Sequence, residues 1–407
     1  MPLPNISPPE PIRGLEPDSW ANSTITVRFI NIIERVLAQN DFSVEITNRL
    51  QSLIDEIPDG LIRPLSDPGP DLAAWNQFIE PHRDQNWLQP PWFFVEHYLY
   101  RRIIAAVGHF RPGCHHGVDP FAKTKQDGLK QGLATIETLA ERLDTWLQDD
   151  SPDEDRLKML LYMDLWGNQS DLSLWPADND PDEKPDHADL SQAQAYLLAD
   201  DSVDVAEHLL DLHPRQARVD IIVDNAAVEL VGDLIVADYL LSAELVAQVR
   251  LHIKVHPTFV SDATPKDVND TVAFLRQNAD PCVRVLGERL RAHLRAGRLK
   301  LRTDFFWTSP LEGWKMPASL AGELAQADLV ISKGDANYRR LLGDRHWAFT
   351  TPFTEIVSYF PAPLVVLRTL KAELVCGLDP GQADSVAEQD PDWMVNGRWG
   401  LIQFFGG

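Results

Sequence analysis

The sequence predicts an α/β protein in which a helical N-terminal region packs on a C-terminal three-layer α/β/α, Rossmann-like domain with a mainly parallel sheet. Three observations carry this. Residues 21–165 place apolar side chains at helical spacing and hold few strand signals. From about residue 191, short β-branched runs alternate with helical stretches, the rhythm of βα units. Between the two lies PADNDPDEKPDHAD (176–189), acidic, broken by prolines and without periodicity, which reads as a solvated linker. The chain therefore divides into 1–190 and 191–407. The aspartates of 176–189 do not make a calcium loop, since the glycine and glutamate such a loop needs are missing.

The elements follow in order. Residues 1–20 are a proline-rich extended arm. Thr24–Gln39 spaces Ile25, Val27, Phe29, Ile32, Ile33 and Val36 close to the helical period. Further helices are expected near 42–56, 92–108, 127–148 and 153–165. In the second half, strands are expected at Val219–Val223, Val249–Val255, Leu299–Phe306, Leu329–Ser332 and Leu364–Leu367. Helical text at Val228–Leu241, Asp267–Asn278 and Pro281–Ala296 lies among them. Arg398–Phe405 reads as a last strand at a sheet edge.

Composition bounds the function. The chain has 407 residues, 44% of them hydrophobic, and a formal net charge of −24. That acidity argues against nucleic-acid or anionic-membrane partners, both of which need a basic surface. A small anionic substrate stays possible, because a metal and a few cations can reverse the sign inside a cleft. Cys114, Cys282 and Cys376 are sparse and odd in number, which is no disulfide framework and fits a reducing cytosol. The N-terminus lacks a signal-peptide core, and no run of about 18 apolar residues spans a membrane. A cytoplasmic, soluble protein is expected; the sequence carries no signal for oligomeric state.

In open α/β sheets, ligands bind outside the carboxyl ends of the strands. Four runs end in polar groups. Asp224-Asn225 follow the first; His256-Pro-Thr-Phe-Val-Ser-Asp262 follows the second; Lys333-Gly-Asp335-Ala-Asn337-Tyr338 and Arg368-Thr-Leu-Lys371 follow two later ones. Asp224, Asn225 and Asp262 are hard oxygen ligands for a divalent ion. Lys333, Arg368 and Lys371 offer positive charge to a phosphoryl group, and Gly334 lets backbone N–H groups approach a phosphate closely. Each also has a plainer reading: Asp224 as a helix cap, Asp262 as a turn residue, Lys333-Gly334 as a loop, Arg368 and Lys371 as solvated charges. Four such sites at corresponding places weaken the plain readings together. Cys114-His115-His116 has no second cluster at zinc spacing. There is no Gly-x-Ser-x-Gly elbow, no dinucleotide fingerprint and no second aspartate two residues after Asp224.

At these residues the sequence resembles the damage-control phosphatase family (DUF89). DNAAVELVGDLIVADYLL (224–241), HPTFVSDATPKDV (256–268) and LVISKGDANYRRLLGDRHW (329–347) resemble its metal and substrate segments. RTLK (368–371) matches the Arg-Thr-x-Lys signature of subfamily III, which contains the acidic residue methyltransferase 1-like proteins. PWFFVEHYLYRRI (91–103) and LWGNQSDLS (165–173) resemble helical segments of that subfamily. The resemblance implies Asp224, Asn225 and Asp262 as ligands of one divalent ion, Mn²⁺, Co²⁺ or Ni²⁺, with Mg²⁺ also accommodated. It implies Gly334, Asp335, Asn337, Tyr338 and Lys371 in the substrate site, and activity on fructose 1-phosphate and fructose 6-phosphate. Glu96, Arg101, Asn168 and Asp171 are candidates for the pocket wall; a buried polar network is the equal alternative. Ala227 stands where the family usually has glycine, and its methyl is expected to tighten the approach to the metal. Water attack oriented by Asp262 or Asp224, and a covalent aspartyl-phosphate on Asp224, both fit these residues. The rival activity is an S-adenosylmethionine-dependent carboxyl methyltransferase. It would want a glycine-rich loop after the first strand, where this chain has Asp-Asn-Ala-Ala.

Overall fold

The computed structural model describes residues 6–148, 152–167, 194–212 and 217–407. The 176–189 stretch, Asn168 and Asp171 lie outside the described residues. The described residues form a seven-stranded sheet: β1 (Leu197–Asp200), β2 (Arg218–Ile222), β3 (Gln248–Ile253), β4 (Leu299–Thr303), β5 (Leu329–Lys333), β6 (Leu364–Thr369) and β7 (Gly400–Phe405). Their order is β1-β7-β6-β5-β2-β3-β4. β4, β3, β2, β5 and β6 run parallel; β7 is antiparallel to β6, and β1 pairs parallel with β7.

Strand periodicity of two sorts side chains between two cores. Ile221, Leu251, Ile331, Val365 and Ile402 pack with the Leu133–Leu147, Glu154–Trp166, Ser202–Leu212, Val228–Ser242 and Pro281–Ala296 helices. Ile222, Val330, Val366 and Leu401 join a second core with the Phe29–Gln39, Val44–Glu56 and Trp92–Val107 helices, Trp307, Trp314 and Tyr338. Both cores draw residues from either side of residue 190. This is the three-layer arrangement expected, with both faces of a mainly parallel sheet covered.

Several elements differ in detail. The last strand is not at an edge: β1 flanks β7. β1 escaped the sequence reading because it has four residues and only Leu198 is buried. The stretch predicted as one helix over 127–148 is two, Ala122–Gln131 and Leu133–Leu147, meeting at Gly132. The Leu72–Ile79 helix was not foreseen. The helix expected from Thr24 begins at Trp20 and contains a π-helical turn at Thr24–Arg28, where Phe29 N–H bonds the Thr24 carbonyl. The arm before it is stitched in: Ile12 N–H donates to Asp344 O at 3.1 Å, and Trp92 N–H donates to Ile12 O at 2.8 Å. Among the described residues no helix is long and apolar enough to cross a membrane.

Candidate active site

β2 and β3 end side by side, and the loops that follow are fastened to each other. Ala226 N–H donates to Ser261 O at 2.7 Å, Ala263 N–H to Asp224 O at 2.8 Å, and Asn225 and Asp262 form a β-bridge. Each loop then enters a helix. One does so through Ala227, whose φ of 62° and ψ of −134° lie where L residues are strained. The other enters through Thr264, capped reciprocally by Asp267, with Pro265 in the first turn. β5 ends at Gly334, whose N–H donates to Leu367 O at 2.9 Å, so the ends of β5 and β6 are joined as well.

These loops border a cavity of about 80 Å³. Of the residues expected in the site, Asp224, Asn225, Asp262, Asp335, Lys371 and Glu96 line it. Asn225 Oδ1 accepts from Ser261 Oγ at 2.6 Å, while its Nδ2 donates to Glu229 Oε2 at 2.9 Å and Asp224 Oδ2 at 3.2 Å. Burial, then the negative charges of Asp262 and Glu229, push the Asp224 carboxyl well above the ordinary range, against the pull of Lys254 and Lys371. Burial also raises Asp262, opposed by Lys254, whose Nζ is 3.1 Å from Asp262 Oδ2.

The donor set fits a divalent cation. Asp224 Oδ1 is buried without a hydrogen-bond partner, a costly state for a carboxylate unless a cation meets it. Among the described residues no group of three or more His, Cys, Asp or Glu side chains is disposed to hold a metal. An ion at this site would therefore rest on two carboxylates and an amide, hard oxygen donors throughout.

Other expected residues lie elsewhere. Lys333 does not line the cavity: it extends among the helices on the other side of β5, with Nζ 2.6 Å from Asp164 Oδ1, 2.7 Å from Asp164 O and 3.5 Å from Asp233 Oδ1. Asn337 braces the turn after β5, donating to Lys333 O at 2.9 Å. Tyr338 is buried, with its hydroxyl donating to Gln403 Oε1 at 3.1 Å. Arg368 donates to Asp335 Oδ1 at 2.8 Å and to the carbonyls of Leu374 and Ala372 at 2.6 and 3.1 Å, shaping the loop that carries Lys371. Arg101 grips Asp71 through two 2.9 Å bonds and Asp67 through one of 3.0 Å. Asp71 in turn lies 3.4 Å from His256 Nε2, so Arg101 belongs to a buried network tying the helices to the Asp262 loop. The methyl of Ala227 does not narrow the cavity; it lies against helix position 128, where a Cβ on Gly128 would come 3.2 Å from it.

The sequence reading missed Lys254, Arg339 and Arg28. Lys254 is legible in hindsight as a charge embedded in the apolar run before His256. Arg339 lines the cavity, stacks 3.8 Å above the Trp92 ring and donates to Glu96 Oε2 at 2.5 Å. Arg28 lines it from the N-terminal helix, where nothing in the sequence marks it.

The family described as damage-control phosphatase ARMT1-like domain matches residues 24–386. Damage-control phosphatase ARMT1 of Mus musculus is 35% identical over 389 residues, 89% of this chain and 88% of that protein. The Danio rerio protein of that name is 36% identical, covering 89% and 84%. The Homo sapiens protein is 31% identical, covering 98% and 99%. A solved DUF89-family protein of Pyrococcus horikoshii covers 87% of this chain and 95% of its own at 13% identity and a TM-score of 0.46.

Proposed function

Because the chain belongs to the damage-control phosphatase ARMT1-like family, we propose that it is a metal-dependent phosphatase. Its substrates in this reading are small sugar phosphates of the fructose 1-phosphate and fructose 6-phosphate type, and its role is metabolite damage control. The observation that carries the reading is one cavity holding Asp224, Asn225 and Asp262 together with Lys371, and Lys254 behind Asp262. Hard oxygen donors and cations side by side suit a metal and a phosphate.

Asp224, Asn225 and Asp262 would hold the ion, Mn²⁺, Co²⁺, Ni²⁺ or Mg²⁺, which would supply Lewis-acid polarisation of the phosphate. Lys371 neutralises charge on the remaining phosphate oxygens. Asp335, gripped by Arg368 and by the Lys371 N–H at 3.2 Å, holds the loop that presents Lys371. Ser261 fixes the Asn225 amide so that it stays oriented through the reaction. Asp262 or Asp224 orients the attacking water in line with the departing sugar oxygen. Attack by Asp224 itself is the second route. A phosphatase is preferred to a methyltransferase because the turn after β2 carries Asp-Asn-Ala-Ala rather than glycines.

The test is phosphate release by chelator-stripped protein from a panel of sugar phosphates, with and without each metal. Metal-dependent release from wild type, lost in Asp262→Ala together with metal affinity while the fold persists, is expected. Absence of release with every metal from folded protein would overturn the reading, and turnover retained by Asp262→Ala would overturn the role of Asp262.

A further inference from the structure

The cavity has a second wall that the metal and phosphate chemistry leaves unused. Asp224, Asn225, Asp262 and Lys371 come from loops at strand ends, whereas Arg28 and Glu96 come from the N-terminal helices. Of the two arginines that line the cavity, Arg339 is fully engaged: it bonds Asp344 at 2.7 and 3.2 Å, bonds Glu96 at 2.5 Å and stacks on Trp92. Arg28 has no hydrogen-bond or ion-pair partner among the described residues, although it is half-buried and carries five N–H donors. It closes the π-helical turn Thr24–Arg28, an irregularity that re-aims the residues after it and recurs at functional sites. The same segment contributes Trp20 to the cavity, and Trp20 N–H donates to Glu373 Oε2 at 3.3 Å, two residues beyond Lys371. The N-terminal segment is thus latched to the loop that carries the phosphate-binding lysine.

Resting on the phosphatase reading, we propose that Arg28 is a specificity-determining residue that donates hydrogen bonds to the hydroxyl-bearing part of a phosphorylated polyol. The phosphate end already has Lys371 and the carboxylate-bound ion. What remains to be recognised in a sugar phosphate is a row of hydroxyls, and a guanidinium beside a carboxylate offers them both a donor and an acceptor. Arg28 supplies the donors and Glu96 the acceptor.

The experiment compares kcat/KM for the best sugar phosphate with that for p-nitrophenyl phosphate, which has no sugar hydroxyls, in wild type, Arg28→Ala and Arg28→Lys. The expected result is that the sugar-to-aryl ratio falls about 10- to 100-fold in Arg28→Ala, mainly through KM for the sugar phosphate, and recovers in part in Arg28→Lys. Thermal unfolding of both variants separates this from misfolding. Equal losses on both substrates would place Arg28 on the phosphate and overturn the inference, as would an unchanged ratio. Release from neither substrate by wild type would overturn the phosphatase reading and this inference with it; release by wild type with an unaltered ratio in Arg28→Ala overturns the inference alone.

Discussion

A Cβ on Gly334 would lie 1.9 Å from Oδ2 of Asp224. Gly334 also has a φ of 82°, a conformation that side-chain-bearing residues adopt only with strain. The end of β5 therefore presses directly on the carboxylate at the end of β2, and the absence of a side chain at 334 is part of what positions Asp224.

Gly334→Ala should therefore damage the site as well as the fold. Backbone strain of about 1–3 kcal/mol is expected, and displacing Asp224 by even about 1 Å should lower kcat/KM about 100-fold. Calorimetric titration with Mn²⁺ should show weakened binding. Unchanged Mn²⁺ affinity would mean that Asp224 is not a ligand.

Ala227 presents the opposite case, a methyl where the backbone wants none. Ala227→Gly removes strain of about 1–3 kcal/mol and adds about 0.5–1 kcal/mol of unfolded-state entropy, for a net gain of roughly 1 kcal/mol. Urea unfolding should show a higher midpoint. A lower midpoint would indicate that the packing of the methyl against the core outweighs the strain.

Lys333 and Lys371 should separate cleanly. Burial alone would lower the Lys333 pKa, but Asp164 and Asp233 overcome it and hold the ammonium charged. Lys333→Ala leaves both acids buried and unpaired, a loss of about 3–5 kcal/mol. Lys371→Ala should cost under about 1 kcal/mol of stability and sharply reduce turnover. Denaturant melts beside phosphate-release assays on the same preparations decide it; a stable, inactive Lys333→Ala would return Lys333 to the substrate site.

Acid should unfold the protein partly through Asp71. Burial raises its carboxyl, but the His256 ring beside it and the hydrogen bonds from Arg101 overcome burial and hold its pKa at about 2. A depressed carboxylate stabilises the fold above the unfolded value of 3.8, and that contribution is lost as pH falls toward 2. Asp71→Asn should thus be less stable than wild type by roughly 2–3 kcal/mol at pH 7, with the gap narrowing below about pH 4. Urea titrations at pH 7, 5 and 3.5 give the slope; a gap independent of pH would assign the loss to packing.

Much of the site is legible in the residues alone. Val219–Val223 and Leu329–Ser332 are apolar runs whose ends lie at one edge of a parallel sheet, which puts Asp224 and Gly334 at that edge; their adjacency follows from the pairing of β2 with β5. The oxygen donors Asp224, Asn225 and Asp262 are placed at the strand ends for the same reason. Lys333 shows where this stops. It shares the parity of Leu329 and Ile331, so its side chain follows theirs to the face covered by the Glu154–Trp166 and Val228–Ser242 helices. Parity is in the sequence, but which face carries the chemistry is not.

The local pattern of the chain by itself determined the strand-helix alternation, the acidic loops at the strand ends and their suitability for a cation, because each depends on residues within a turn or two of one another. Only the tertiary structure decided that Arg28 and Arg339 border the cavity, that Arg101 serves Asp71 and that Lys333 lies beneath the helices. Those outcomes depend on pairs such as Glu96 and Arg339, 243 residues apart, and contacts at that separation leave no periodicity to read.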